Sequence, residues 1–308
     1  MSKLRRLIVI LGPTASGKSA LGIGIARRLG GEVLVCDSTQ VYRRFDIGTA
    51  KVPAAEQQGI PHHLVDLVEP SDVFTAGDYR RCAVKILEEL RRREKTPVLT
   101  AGTGLYLRAL LEGLADAPLR SEELRDRLRR SAQSHGPEYL HQLLSRIDPG
   151  AAARIGLRDT QKVIRAAEIR LLSKKTVGEV HSAGRAPLQG YDAIKIGLNP
   201  PRAALYGRIH ARIDAMLAAG WIEEVRGLIA SGVPADAKPF QFIGYSELRT
   251  HLEGRVTCEQ AIEEIRQATR NFAKRQLTWF RREPEVHWLP GFGDDLETIS
   301  AAQKLISS

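Results

Sequence analysis

Leu7-Ile8-Val9-Ile10-Leu11-Gly12-Pro13-Thr14-Ala15-Ser16-Gly17-Lys18-Ser19 is the stretch that decides the fold. Leu7 to Leu11 is an unbroken apolar run, the pattern of a strand buried on both faces. Gly12 to Ser19 then matches G-x-x-x-x-G-K-[ST], a phosphate loop in the strand–loop–helix setting that it requires. The glycines let backbone N–H groups turn inward onto phosphate oxygens, at the positive end of a helix expected over Ser19 to Leu29. Lys18 would neutralise the terminal phosphates, and the Ser19 hydroxyl would help to hold Mg²⁺. All eight residues, Gly12, Pro13, Thr14, Ala15, Ser16, Gly17, Lys18 and Ser19, are read as a phosphate-binding unit.

Working outward, Glu32 to Cys36 reads as a second strand and Pro97 to Thr100 as a third. Thr75-Ala76-Gly77-Asp78 has the spacing of a capping box and opens a helix reaching about Arg93. Buried strands separated by helices imply a parallel sheet covered on both faces. From about Ala115 to Gly190 the texture is helical and rich in Arg and Lys, including Arg125, Arg127, Arg129 and Arg130. Tyr191 to Leu198 returns to strand character. Helices follow over Arg202–Ala218, Trp221–Ala230, Ser246–Leu252 and Cys258 to about Arg281, with a last short strand at Glu285–Leu289. The expected organisation is a core of residues 1–114 and 191–308 interrupted by a helical insertion at 115–190.

The chain has 308 residues, 46 Lys+Arg against 36 Asp+Glu, and a formal charge of +10. That excess attracts polyanions, of which nucleic acid is the commonest, although a solvated basic surface gives the same composition. No apolar run approaches the ~20 residues of a membrane span. The basic start, Met1 to Arg6, resembles a signal leader, but the apolar stretch behind it is short and runs into the glycine loop. Cys36, Cys82 and Cys258 are far apart, which argues against a disulfide framework and fits the cytoplasm. His62 and His63 are adjacent without a partner at ligand spacing, so they read as structural.

A phosphate loop does not specify ATP. An NTPase or kinase also places an acid at a strand end to position Mg²⁺. The third strand ends in Thr100-Ala101-Gly102-Thr103, whereas the second ends in Asp37. Asp37 is therefore either a metal ligand or a general base beside a bound diphosphate, and spacing alone does not choose.

Asp37-Ser38-Thr39-Gln40-Val41-Tyr42 and Asp46-Ile47-Gly48-Thr49-Ala50-Lys51 resemble the signature of the tRNA dimethylallyltransferase (tRNA isopentenyltransferase) family of bacterial type. The resemblance continues through Pro61-His62-His63-Leu64-Val65-Asp66, Ala101-Gly102-Thr103-Gly104-Leu105-Tyr106 and Ile243-Gly244-Tyr245. It ends in Ala273-Lys274-Arg275-Gln276-Leu277-Thr278-Trp279-Phe280-Arg281. Each block is modest alone, but together they keep the family's order across nearly the whole chain. The resemblance implies an α/β, P-loop NTPase-like parallel sheet flanked by helices, with an all-helical insertion domain. It also implies transfer of dimethylallyl from its diphosphate to N6 of the adenosine immediately 3′ of the anticodon, releasing diphosphate.

On that resemblance Asp37 and Thr103 match catalytic positions, Asp37 as the base. Ser38, Thr39 and Gln40 match the segment lining the flipped adenine. Arg208 and Arg212, four apart on one helix face, match positions set against the diphosphate. Further tRNA contacts are implied at Arg125, Gln161, Lys162, Val163, Ile164 and Arg165, and at Gln241, Phe242, Ile243, Gly244, Tyr245 and Ser246. The family usually has Gly-Gly-Thr where this chain has Ala101-Gly102-Thr103, and often a basic residue at Ser246.

Arg266, Arg270, Lys274 and Arg281 share a stripe of the last long helix. Ile262, Ile265, Phe272, Trp279 and Phe280 gather on another face, expected to be buried. A solvated amphipathic helix gives the same pattern, but no acid lies between Arg266 and Arg282, which favours contact with the RNA backbone, Arg270 and Lys274 foremost. The expected partners are the tRNA anticodon stem-loop and dimethylallyl diphosphate, with Mg²⁺ as cofactor, no membrane, and a monomer in the cytoplasm. The rival readings are a small-molecule kinase or NTPase, an adenylate prenyltransferase and a non-catalytic RNA-binding protein.

Overall fold

A computed structural model describes residues 4–307, so Met1, Ser2 and Lys3 of the basic start, and Ser308, lie outside the described residues. In chain order the elements are β1 (Arg5–Leu11), α1 (Lys18–Leu29), β2 (Glu32–Cys36), β3 (His62–His63), α2 (Ala76–Arg92), β4 (Pro97–Ala101) and α3 (Gly104–Leu111). Helices α4 (Glu122–His135), α5 (Pro137–Ile147), α6 (Pro149–Ala152), α7 (Thr160–Ser173) and α8 (Val177–Ser182) follow. Then come β5 (Tyr191–Leu198), α9 (Arg202–Ala218), α10 (Trp221–Ala230), α11 (Tyr245–Leu252), α12 (Cys258–Phe280), β6 (Val286–Leu289) and α13 (Leu296–Ser307).

The strands form one parallel sheet in the order β3-β2-β4-β1-β5-β6. Leu7 to Leu11 are fully buried, as the apolar run requires. Ile8 and Ile10 pack with Leu21 and Ile25 of α1 and Ile306 of α13. A second apolar cluster gathers Ile209 and Ile213 of α9, Trp221 of α10, Tyr245 of α11 and Ile265 of α12. The Thr75 capping box forms in both directions, with Thr75 Oγ1 accepting from Asp78 N and Asp78 Oδ2 accepting from Thr75 N.

Two compact units result. One takes in the chain as far as Leu110 and from Gln189 onward; the other is Leu111–Leu188. The second is held by its own core, with Leu128, Leu140, Leu144, Val163 and Ile164 at its centre.

Three elements escaped the sequence reading: β3, α3 and α13. Strand β3 is two polar residues long and exists because His62 and His63 register against Val33 and Leu34. His63 Nε2 is also 2.6 Å from Glu32 Oε2, which Arg93 holds from the other side. No described helix is long and apolar enough to cross a membrane.

Candidate active site

The sheet order explains the site. Strand β4 lies between β2 and β1, so three loops leave the C-terminal ends of adjacent strands: Asp37 after β2, Gly102–Thr103 after β4 and the phosphate loop after β1. Open parallel sheets bind ligands at this edge. A cavity of about 420 Å³ opens there, lined by Thr14, Lys18, Ser19, Asp37, Gly102 and Arg212 among others.

The phosphate loop is locally built. Gly17 has φ 85°, and a Cβ there would run into the Gly293 backbone. Gly293 N also donates to Ser16 O at 2.9 Å, pinning the loop from behind. Lys18 Nζ donates to Pro13 O at 2.7 Å. Burial pushes its pKa down to about 7, with Arg212 adding to the fall and the Asp37 charge opposing it. A cation close to neutrality is one that an arriving diphosphate would fully protonate.

Asp37 has one oxygen committed and one free. Oδ1 accepts from Thr39 N at 2.9 Å and Thr39 Oγ1 at 2.7 Å. Oδ2 makes no hydrogen bond among the described residues and faces Gly102, where an added Cβ would sit 2.5 Å away. Thr103 Oγ1 accepts from Ser38 N at 2.9 Å and lies 3.2 Å from Ser38 Oγ, so it fixes the start of the Asp37 loop. Gln40 Nε2 donates to Thr49 O and Ala50 O, and its side chain lines the cavity.

Arg212 lines the cavity without an ion-pair partner among the described residues, and burial lowers its pKa. Arg208 is one turn away on the rim, bonded to Asp294 Oδ1 at 2.6 Å and stacked 3.9 Å from the Phe292 ring centroid. Of the two arginines, only Arg212 lines the cavity.

Gln241, Phe242 and Ile243 line the cavity wall. Gly244 and Tyr245 beside them are buried: Gly244 against the Trp221 ring, Tyr245 with its hydroxyl between Gly48 N and Glu224. They hold the wall and do not form its face. Ser246 Oγ bonds Glu247 at 2.7 Å.

In the helical unit Arg125, Val163 and Ile164 are likewise buried. Arg125 is buried, and its guanidinium forks onto fully buried Glu168 at 2.8 and 2.7 Å. Val163 and Ile164 sit in that unit's apolar core. Arg165 bonds Pro118 O and Glu168, whereas Gln161 and Lys162 are exposed, Lys162 beside Asp159. Burial alone would raise the Glu168 carboxyl. Bonds from Arg125, the Ser121 amide and Arg165 outweigh it and hold the pKa at about 2.

On α12, Ile265 and Phe280 are buried as expected, but Trp279 is 36% exposed, with Arg108 over its ring. Arg270 bonds His210, Gln267 and Glu263. Lys274 is exposed and carries no ion pair among the described residues. Among the described residues no group of three or more His, Cys, Asp or Glu is placed to hold a metal by itself. Ser19 and the free Asp37 oxygen on the cavity wall are hard oxygen donors of the kind that Mg²⁺ accepts when phosphate oxygens complete the shell.

The IPP transferase family profile matches residues 40–283 of the chain. The chain belongs to that family. It is 48% identical over 306 residues to the tRNA dimethylallyltransferase of Koribacter versatilis, spanning 98% of both chains. It is 46% identical to that of Solibacter usitatus, again over 98% of each. Among solved structures, the tRNA isopentenylpyrophosphate transferase of Bacillus halodurans aligns at a TM-score of 0.70 and 37% identity, covering 99% of this chain and all of that one. A eukaryotic dimethylallyltransferase acting on tRNA aligns at a TM-score of 0.83 and 27% identity, over 98% and 77% of the two chains. This IPP transferase therefore shares its fold along almost its whole length with relatives from bacteria and eukaryotes.

Proposed function

We propose that this IPP transferase moves the dimethylallyl group of dimethylallyl diphosphate onto N6 of the adenosine immediately 3′ of the tRNA anticodon. One observation carries the reading: a carboxylate with an uncommitted oxygen, Asp37, shares a single cavity with two basic side chains, Lys18 and Arg212. A kinase also carries an acid close to its phosphates, so the choice of alkyl transfer over phosphate transfer follows the names of the relatives.

The N6 lone pair attacks C1 of the dimethylallyl group while the C1–O bond breaks, and its electrons leave with diphosphate. Lys18 and Arg212 stabilise the charge that grows on the leaving oxygen. The exocyclic nitrogen holds its protons tightly until the new bond makes it cationic, so the Asp37 carboxylate accepts a proton late. Ser19 would hold Mg²⁺ against the diphosphate, where the ion would neutralise phosphate charge. The base must leave its stack to enter the cavity, and a loop nucleotide does so at the least cost.

The test is incubation with labelled dimethylallyl diphosphate and either bulk tRNA or AMP. Label entering tRNA alone supports the proposal. Label entering AMP makes the chain a nucleotide prenyltransferase, and phosphate transfer from ATP makes it a kinase.

A further inference from the structure

Helix α12 places one polar residue on its buried face. Gln276 is 6% exposed and falls between Ala273 and Phe280, where helical spacing calls for an apolar side chain. Its amide is used at both ends. Oε1 accepts from Thr14 N of the phosphate loop at 2.7 Å, and Nε2 donates to Gly102 O at 2.8 Å. The two partners fix the orientation of the amide, because a backbone N–H needs an acceptor and a carbonyl needs a donor. Gly102 is in turn the residue against which Asp37 Oδ2 rests, and its N–H bonds Cys36 O at 3.0 Å.

We propose that Gln276 is a positioning residue that sets the distance between the donor and acceptor halves of the site. The chain of contacts Thr14–Gln276–Gly102–Asp37 runs from the loop that would hold diphosphate to the carboxylate that would meet the adenine. The ladder pairs the two strands as far as Leu11 and Ala101, and beyond it the Gln276 amide makes a polar link between the loops that follow. A buried glutamine kept only for stability would serve equally well with any satisfied partners. This one joins the two loops whose separation governs in-line attack, and misplacement of about 1 Å costs on the order of 10²-fold in rate. The inference rests on the alkyl-transfer reading above.

Two variants separate positioning from packing. Gln276→Glu keeps an acceptor for Thr14 N but turns an oxygen towards Gly102 O; Gln276→Leu loses both bonds at similar volume. The readouts are thermal melting, affinity for inorganic diphosphate by calorimetry, and single-turnover transfer from dimethylallyl diphosphate to an anticodon stem-loop RNA. Gln276→Glu should bind diphosphate much as the parent does yet lose transfer rate by ~10²-fold at saturating substrates. Gln276→Leu should lose both. Variants that keep full transfer rate, or lose rate and affinity only in step with melting temperature, overturn the proposal. If the parent itself transfers nothing, the functional reading fails separately. The diphosphate affinities then still decide the link: weaker in Leu than in Glu supports it, and equal values sink it.

Discussion

Thr39 holds one oxygen of Asp37 through both its backbone N–H and its hydroxyl, at 2.9 and 2.7 Å, and leaves the other oxygen to face the cavity beside Gly102. A carboxylate clamped on one side is oriented without being neutralised, which suits a base acting on a proton that becomes acidic late. Asp37→Ala should therefore lower turnover by ~10²–10⁴-fold, with affinity for diphosphate and RNA little changed. Steady-state kinetics with both substrates varied checks this. Near-normal turnover removes Asp37 from the chemistry, and a loss rescued by raised Mg²⁺ makes it a metal ligand instead.

Lys18 supplies a pH test. Its pKa lies near 7 in the unliganded protein because of burial, and a bound diphosphate adds negative charge that raises it. At pH 8 the free protein holds Lys18 largely neutral and the complex holds it charged. Binding should then take up close to one proton, and affinity should fall as pH climbs above 7. Calorimetry of inorganic diphosphate binding at pH 8, in buffers of differing ionisation enthalpy, measures the uptake. Lys18→Arg, always charged, should bind without uptake. An apparent enthalpy independent of buffer in the parent contradicts the argument.

What the sequence disclosed follows from the range over which each feature is determined. The phosphate loop, the Thr75 cap and the strand ending at Asp37 are set by residues within a few positions of one another, and all were legible. Arg125 looks no different in sequence from Arg127 or Arg129. It is buried because Glu168, 43 positions along the chain, needs a partner. Val163 and Ile164 lie in the apolar core of the helical unit, packed with Leu140 and Leu144 from a separate helix. Gln276 carried a readable signal, a polar residue interrupting an apolar stripe, but its two partners are defined only by the order of strands in the sheet. Strand β3 has no apolar signature because pairing with β2, and not burial, makes it a strand.

The Arg125–Glu168 fork yields a stability prediction. Removing one partner of a buried pair costs roughly 3–5 kcal/mol when the other is left alone, and less here because Arg165 and the Ser121 amide still hold Glu168. Arg125→Ala should therefore lower the melting temperature of the helical unit, followed by circular dichroism or hydrogen exchange over residues 111–188. The sign of the pH dependence follows from Glu168, whose folded pKa is depressed to about 2. Its contribution is complete above the unfolded carboxylate range near pH 4.5 and disappears as pH falls towards 2. Unchanged melting, with only RNA affinity reduced, would restore Arg125 to a surface role.

Contact with the RNA backbone should rest on the cations of α12 and its end that are free of internal partners. Arg266 and Arg270 are already engaged, with Asp214 and with His210, Gln267 and Glu263 respectively, so truncating either also disturbs the protein. Lys274 and Arg281 are exposed and carry no ion pair among the described residues, so their positive charge is available to phosphate. Each phosphate contact contributes a slope of roughly 0.7–0.9 to the dependence of log affinity on log salt. Changing Lys274 and Arg281 together to Ala should thus weaken binding of an anticodon stem-loop and flatten that slope by about 1.5, while melting stays near the parent's. Phosphate contacts position the RNA and do not read bases, so the modified adenine should stay the same. Filter binding across a salt series, with mapping of the modified nucleotide, tests both parts. A salt slope equal to the parent's would move the backbone contact away from this end of α12, and a shift to a different adenine would show that these cations also select the base.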